Sequence, residues 1–136
     1  MQKIIKIDDV SDVKNEVLHY RAKRARGDRA RQFIVMIDGV ESAFLTYDVY
    51  SDESLVFIIE IYVLPDSRKQ RIGTFLLSYA EDCAIQLGCT FVRLKPYALD
   101  PNIDQGWLVS WYQGKGYVQQ TNDKEVVQKD ITKDKA

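Results

Sequence analysis

The chain has one histidine, two cysteines and three prolines in 136 residues, so it is poor in metal ligands and disulfide partners. Cys83 and Cys89 do not form a CxxC pair, and with His19 the only imidazole a structural zinc site is badly supplied. Both thiols are expected to be reduced, small hydrophobes of a reducing compartment. No apolar run approaches ~18 residues, so no membrane span and no membrane partner are expected. The opening Met1-Gln2-Lys3-Ile4-Ile5-Lys6 is interrupted by charge too early for a signal peptide, and a cytoplasmic location is expected. Lysine and arginine are also absent from residues 32–66, which hold seven carboxylates: Asp38, Glu41, Asp48, Asp52, Glu53, Glu60 and Asp66.

What remains is ordinary for a folded protein: 46% hydrophobic and 29% charged residues, enough to build one core and to exclude disorder along the whole chain. The length fits one domain, placed at 1–131, with 132–136 as a polar tail. The net charge of −1 conceals an asymmetry. A basic stretch, Arg21, Lys23, Arg24, Arg26, Arg29 and Arg31, precedes the acidic middle. It reads either as a solvated helix face and loop or as a phosphate or nucleic-acid patch. The acidic middle reads either as solvent-facing sides of strands or as a surface that attracts cations.

Residues 3–7 alternate as a short strand, and Val10, Val13 and Val17 predict a helix beginning at Asp9 or Ser11 and fading near Arg26-Gly27. Residues 32–37 and 42–50 read as strands joined at Asp38-Gly39, a hairpin turn signal. Residues 55–64 form a long apolar strand ended by Pro65. Leu76, Leu77, Ala80, Cys83, Ala84 and Leu87 then recur at helical spacing, with Gly88 as the stop. A strand at 90–95, a short aromatic helix at 106–113 and a final hairpin around Asn122-Asp123 complete the order. The class is α+β: a mixed, mostly antiparallel central sheet of 6–7 strands with helices on its faces.

The segment from Ile61 to Leu77 carries the chemistry. A strand runs into a loop bearing Arg68, Lys69 and Arg71, and the loop opens a helix near Gly73. Main-chain N–H groups at a helix start lack intrahelical partners and, with the helix dipole, hold phosphate. A basic first turn opposes that dipole unless an anion neutralises it. There is no Gly-Lys-Ser/Thr and no GxGxxG here, so this is neither a Walker loop nor a dinucleotide fingerprint.

At these residues the sequence resembles the GNAT superfamily of acyl-CoA-dependent N-acetyltransferases. The family's Arg/Gln-x-x-Gly-x-Gly/Ala loop is similar to Arg68-Lys69-Gln70-Arg71-Ile72-Gly73 after Val63-Leu64-Pro65. Its late Tyr-x-x-x-Gly-Phe/Tyr signal is similar to Tyr112-Gln113-Gly114-Lys115-Gly116-Tyr117. The resemblance spans about residues 3–131 and implies a GNAT-like sheet with two splayed parallel strands, here 55–64 and 90–95. It implies acetyl-CoA (coenzyme A) as cofactor. Its diphosphate would lie on the amides of Arg68, Lys69, Gln70, Arg71, Ile72, Gly73 and Thr74, and its pantetheine arm along Ile61, Tyr62 and Val63. Gln105 stands where many relatives place a pantetheine-contacting Asn. Arg71 replaces the first loop Gly, and a right-handed backbone is expected there. The segment between the first two strands is short for the family, so a reduced second helix is expected.

The resemblance further implies Tyr112 as general acid and a main-chain N–H near Tyr62–Leu64 as oxyanion donor. Glu60, whose parity differs from the apolar Phe57, Ile59, Ile61 and Val63, is either the base that deprotonates the amine or a hydrogen-bonded structural carboxylate. Trp107 and Trp111 are expected in core or pocket wall, His19 in a structural or surface role, and Phe33, Tyr47, Tyr50 and Tyr62 in the core or a stacking pocket. The function implied is transfer of acetyl to a primary amine: a polyamine, a small amine, a protein lysine or an N-terminus. The partners are thus a small-molecule or protein amine rather than nucleic acid, with a homodimer by analogy. Two other readings stand beside it. One is a catalytically weak acyl-CoA-binding sensor on the same scaffold. The other is a nucleic-acid-associated protein using residues 21–31.

Overall fold

Asp38 and Gly39 both take positive φ, 50° and 82°, a pair whose twist suits a two-residue hairpin. They join β2 (Ala30–Ile37) to β3 (Val40–Tyr50) in the computed structural model, which describes residues 2–68, 70–97 and 102–132. Before them lie β1 (Gln2–Lys6) and α1 (Glu16–Arg24). After them come β4 (Leu55–Val63), α2 (Ile72–Gln86), β5 (Phe91–Leu94), α3 (Gln105–Gly114), β6 (Val118–Gln119) and β7 (Val127–Asp130). The strands follow the order β1-β2-β3-β4-β5-β7-β6, mostly antiparallel, with β4 and β5 parallel. The α+β class and the mixed sheet are as expected. Lys69 and residues 133–136 of the expected tail lie outside the described residues.

The start of the first helix differs from the periodicity. Asp9 caps only a single 3-10 turn, Val10–Asp12, through its carboxylate and the Ser11 N–H. The helix starts later, because Asn15 Oδ1 accepts from the N–H groups of Val17 (3.0 Å) and Leu18 (3.1 Å). An Asn at that position is a strong cap, and it overrides the valine spacing that reaches further back. Between β1 and β2 this is the one α-helix. At the other end of the scale, Gly88 stops α2 with φ +79°, a conformation glycine adopts without a Cβ penalty.

The chain divides into two compact units, Met1–Val49 with Ile58–Ala80, and Tyr50–Phe57 with Glu81–Ala136. In the first unit α1 covers one sheet face, where Leu18 and Ala22 pack with Ile7, Val13, Ile34 and Phe44. The opposite face carries an aromatic stack, since neighbouring residues of a strand point to opposite sides. Phe33 meets Tyr47 at 5.6 Å and Tyr79 of α2 at 5.2 Å, and Phe75 follows Tyr79 at 6.4 Å. Phe33 and Tyr47 are therefore core, each contributing ~1.5–3 kcal/mol by burial.

In the second unit the Ser54 carbonyl, at the start of β4, accepts from Thr90 (2.8 Å) and Phe91 (3.1 Å) N–H. β5 pairs antiparallel with β7 from Phe91↔Asp130 to Leu94↔Val127, and β7 pairs with β6. Tyr112, Tyr117, Val92 and Leu94 are buried there.

Candidate functional site

The two α-helices of the first unit have opposite charge logic. α1 carries Glu16 in its first turn and Arg21, Lys23 and Arg24 in its last, as its dipole favours. α2 has no acid in its first turn and is entered through a cationic loop. The first bond of its ladder is Phe75 N–H to the Arg71 carbonyl at 3.0 Å, so the amides of Ile72, Gly73 and Thr74 precede the ladder. Gln70 and Arg71 are exposed, and a Cβ placed on Gly73 would meet nothing within 4 Å. Open space and unladdered amides at the start of α2 fit a diphosphate. These residues are the ones that could hold the phosphates of coenzyme A.

Arg71 departs from expectation. Its φ is +59°, left-handed, and not the right-handed backbone expected of an arginine. The chain arrives extended at Arg68 and must enter the helix at Ile72 within three residues. The loop keeps the path a glycine would take, and the arginine adopts it at a cost of ~1–2 kcal/mol. Strain of this sort marks a backbone that its surroundings dictate.

At the end of β4 the polar groups are already engaged. The Leu64 N–H donates to the Ser42 carbonyl at 3.0 Å, which removes it from the candidate oxyanion donors. Arg68 Nε donates to the Val63 carbonyl at 2.9 Å. Its guanidinium lies 5.6 Å from the Tyr62 ring centroid. Arg68 is thus turned toward the strand end.

Glu60 is 8% exposed and held by α1. Arg21 Nη1 donates to Oε1 at 3.1 Å and Arg24 Nη2 to Oε2 at 3.2 Å. Arg21 is also stacked on Tyr62, 3.7 Å from the ring centroid. Residues 21 and 24 are one helical turn apart and share a face, which is why both reach one carboxylate. Glu60, Tyr62 and Arg68 are therefore brought together, with Arg21 and Arg24 added from the basic stretch. A further cation ~4 Å from either guanidinium would be repelled by ~1–4 kcal/mol, between the bulk-water and protein-surface limits. Of the other acidic residues of the middle segment, Asp48 has its pKa raised by partial burial, against the opposing pull of Arg29.

The rest of the basic stretch fastens the end of α1. Arg26 donates to Gln32 Oε1 and the Asp8 carbonyl, both at 3.1 Å, and Arg29 to the Val49 carbonyl at 3.3 Å. Gln32 Nε2 in turn donates to the Ala22 carbonyl at 2.8 Å. Thr46, paired with Gln32 in register, is fully buried, and its hydroxyl has no partner among the described residues. His19 is structural, its Nδ1 3.2 Å from the Val13 carbonyl.

In the second unit, Asp104 caps α3 by accepting from the Trp107 N–H at 2.8 Å. Gln105, the first residue of α3, donates its side-chain amide to the Pro96 carbonyl at 2.9 Å. Tyr112 is 8% exposed and lies edge-on to Trp111 (4.9 Å) and Tyr117 (5.8 Å). Burial pushes its phenol up to about 12. Below it, the Tyr117 hydroxyl donates to Glu81 Oε2 at 2.8 Å, and Lys129 Nζ meets Oε1 at 3.2 Å. Trp107 does not join a core: it is 58% exposed, because its position on the short α3 faces away from Tyr112 and Tyr117.

Sequence reasoning missed two groupings. The Arg21–Glu60–Arg24 pairing has a partial signal, two arginines three apart on a helix, but nothing local marks a carboxylate 36–39 residues away. The Tyr117–Glu81–Lys129 set has no local signal.

The Acetyltransferase (GNAT) family profile matches residues 3–105. Among solved structures, the ribosomal-protein-S18-alanine N-acetyltransferase from Escherichia coli is similar at 17% identity, covering 96% of this chain and 94% of that one, with a TM-score of 0.71. The PaiA N-acetyltransferase from Thermoplasma acidophilum, in complex with coenzyme A, is 17% identical over 84% of this chain and 67% of that one, TM-score 0.59. At these identities the likeness is one of fold. No curated protein sequence matches. Among the described residues no helix is long and apolar enough to cross a membrane, and no cluster of potential metal ligands occurs.

Proposed function

The chain belongs to the acetyltransferase (GNAT) family, and from that premise we propose that it moves an acetyl group from acetyl-CoA to a primary amine. Acetyl-CoA, when bound, supplies the acyl group activated as a thioester, and coenzyme A leaves as the thiol. The amides of Ile72, Gly73 and Thr74, with the cationic loop, bind its diphosphate. The main chain of Ile61, Tyr62 and Val63 orients a strand-like arm by β-type pairing. The observation that carries the reading is Tyr112: a phenol only 8% exposed on α3, in the late Tyr-x-x-x-Gly-Tyr segment. A phenol raised to about 12 keeps its proton at Oη throughout the neutral range, so it is suited to donate and not to accept.

An amine acceptor must lose a proton before it attacks, since alkyl amines ionise near ~10.4. Glu60 is the carboxylate proposed to receive that proton, directly or through water. Each of its oxygens takes one guanidinium donor and retains a second lone-pair site. Thiol release from acetyl-CoA across a panel of amines tests the reading, run beside calorimetric titration with coenzyme A. Turnover with any primary amine supports it. An absence of coenzyme A binding removes it. Glu60→Gln is expected to alter the pH dependence of the rate, and an identical profile assigns the proton to another acceptor.

A second reading, a module that binds acyl-CoA and reports on it, draws support from the double ion pairing of Glu60. Coenzyme A binding without thiol release on any amine selects it.

A further inference from the structure

We propose that the acceptor amine also carries an anionic group, a carboxylate or phosphate, received by Arg24 beside Arg21 at the Glu60–Tyr62 cluster. The acyl-transfer reading above supplies the existence of an acceptor, and the cluster supplies its chemistry. One carboxylate here faces two guanidiniums, and Arg68 brings a third to the same tyrosine ring. Among Arg21, Arg24 and Glu60 positive charge therefore exceeds negative by one. Arg21 is consumed: its side chain is 17% exposed, its Nη1 is on Glu60 and its face lies on Tyr62. Arg24 is 54% exposed and spends one nitrogen, Nη2, on Glu60. A guanidinium has five N–H donors in a planar fork, so most of that capacity remains outside the Glu60 bond.

The sequence presents two opposing signals, acidic strands that favour a cationic acceptor and a basic helix end that favours an anionic one. The structure resolves them at this cluster. Glu60 is neutralised by α1, so a second ammonium at the acceptor's far end would find no net negative partner here and would rest beside two like charges. A carboxylate or phosphate meets a half-exposed fork whose geometry matches it. A polyamine is the poorest match to these surroundings, and an amino acid, a peptide with a nearby acidic group or a phosphoamine the best.

The test uses the full chain and matched amines differing only in their far group: methyl, ammonium, carboxylate or phosphate, over several spacer lengths. Thiol release with saturating acetyl-CoA is one arm, and thermal shift by the same amines is the other. The anionic amines should exceed the diamines about tenfold or more in kcat/KM, the scale of one charge-assisted contact. Arg24→Gln should erase that ratio, mainly through KM for the amine, and Arg24→Lys should restore part of it. Equal or greater efficiency of the diamines overturns the proposal, as does a ratio unchanged in Arg24→Gln. Weaker coenzyme A binding in Arg24→Gln also overturns it, by assigning the arginine to the donor's phosphates. If no amine turns over, the thermal arm decides. A shift by anionic amines in the wild type that is lost in Arg24→Gln supports the proposal, and no shift overturns it. Failure of the acyl-transfer reading is distinct: it shows as no coenzyme A binding and no thiol release.

Discussion

Replacing Tyr112 by Phe deletes one oxygen from an enclosed ring, and the structure fixes how that deletion should be felt across pH. Burial lifts the phenol from 10 to about 12. Below pH 10 the folded and unfolded chains both hold the proton. Between pH 10 and 12 the unfolded chain releases it while the folded chain retains it, so stability falls as pH rises through that window. Two units at ~1.4 kcal/mol each give a loss of ~3 kcal/mol that Tyr112→Phe does not suffer. Urea unfolding of both proteins from pH 9 to 12 reads the difference directly. The wild type should lose ground against the variant by about that amount, and absorbance near 295 nm should show one of the eight tyrosines ionising late. Parallel stability curves would refute the burial argument. In turnover, loss of a general acid costs ~10²–10⁴ in kcat, with coenzyme A affinity unchanged. An unaltered kcat removes Tyr112 from the chemistry while leaving the alkaline result standing.

Arg71→Gly should raise stability by ~0.5–1 kcal/mol, because relief of the left-handed strain outweighs the freedom glycine gives the unfolded chain; the urea midpoint reports it. Coenzyme A should bind that variant more weakly, one loop cation being lost. Glu81→Ala leaves the half-buried Lys129 and the buried Tyr117 hydroxyl without their shared acceptor, and ~2–4 kcal/mol of stability should disappear in chemical denaturation. Thr46→Val removes a buried hydroxyl that has no partner and should stabilise by ~1 kcal/mol, seen as a higher melting temperature.

The sheet was legible because its punctuation is local. Asp38-Gly39, Pro65 and Gly88 act through their own backbone preferences, and the turn or stop stands where each occurs. Leu76, Leu77, Ala80 and Ala84 are buried as their helical spacing requires. The start of α1 was misread because valine spacing continues past the point where Asn15 takes over the cap. Arg71 was misread because a steric preference of the residue was weighed without the path of the loop that overrides it. The cationic entry to an acid-free first turn of α2 was visible in the sequence itself. The pairing of Glu60 with α1 was not, since contact between residues 36–39 apart depends on how a helix is laid across a sheet.

That pairing makes Glu60 a clasp as well as a possible proton acceptor. The last turn of α1 is buttoned to the middle strand through a single side chain, by two threads from the same helix face. Unfastening it frees both arginines in one event, so warming or a change at residue 60 should loosen the whole end of the helix together, Arg21 lifting from Tyr62 as Arg24 swings out.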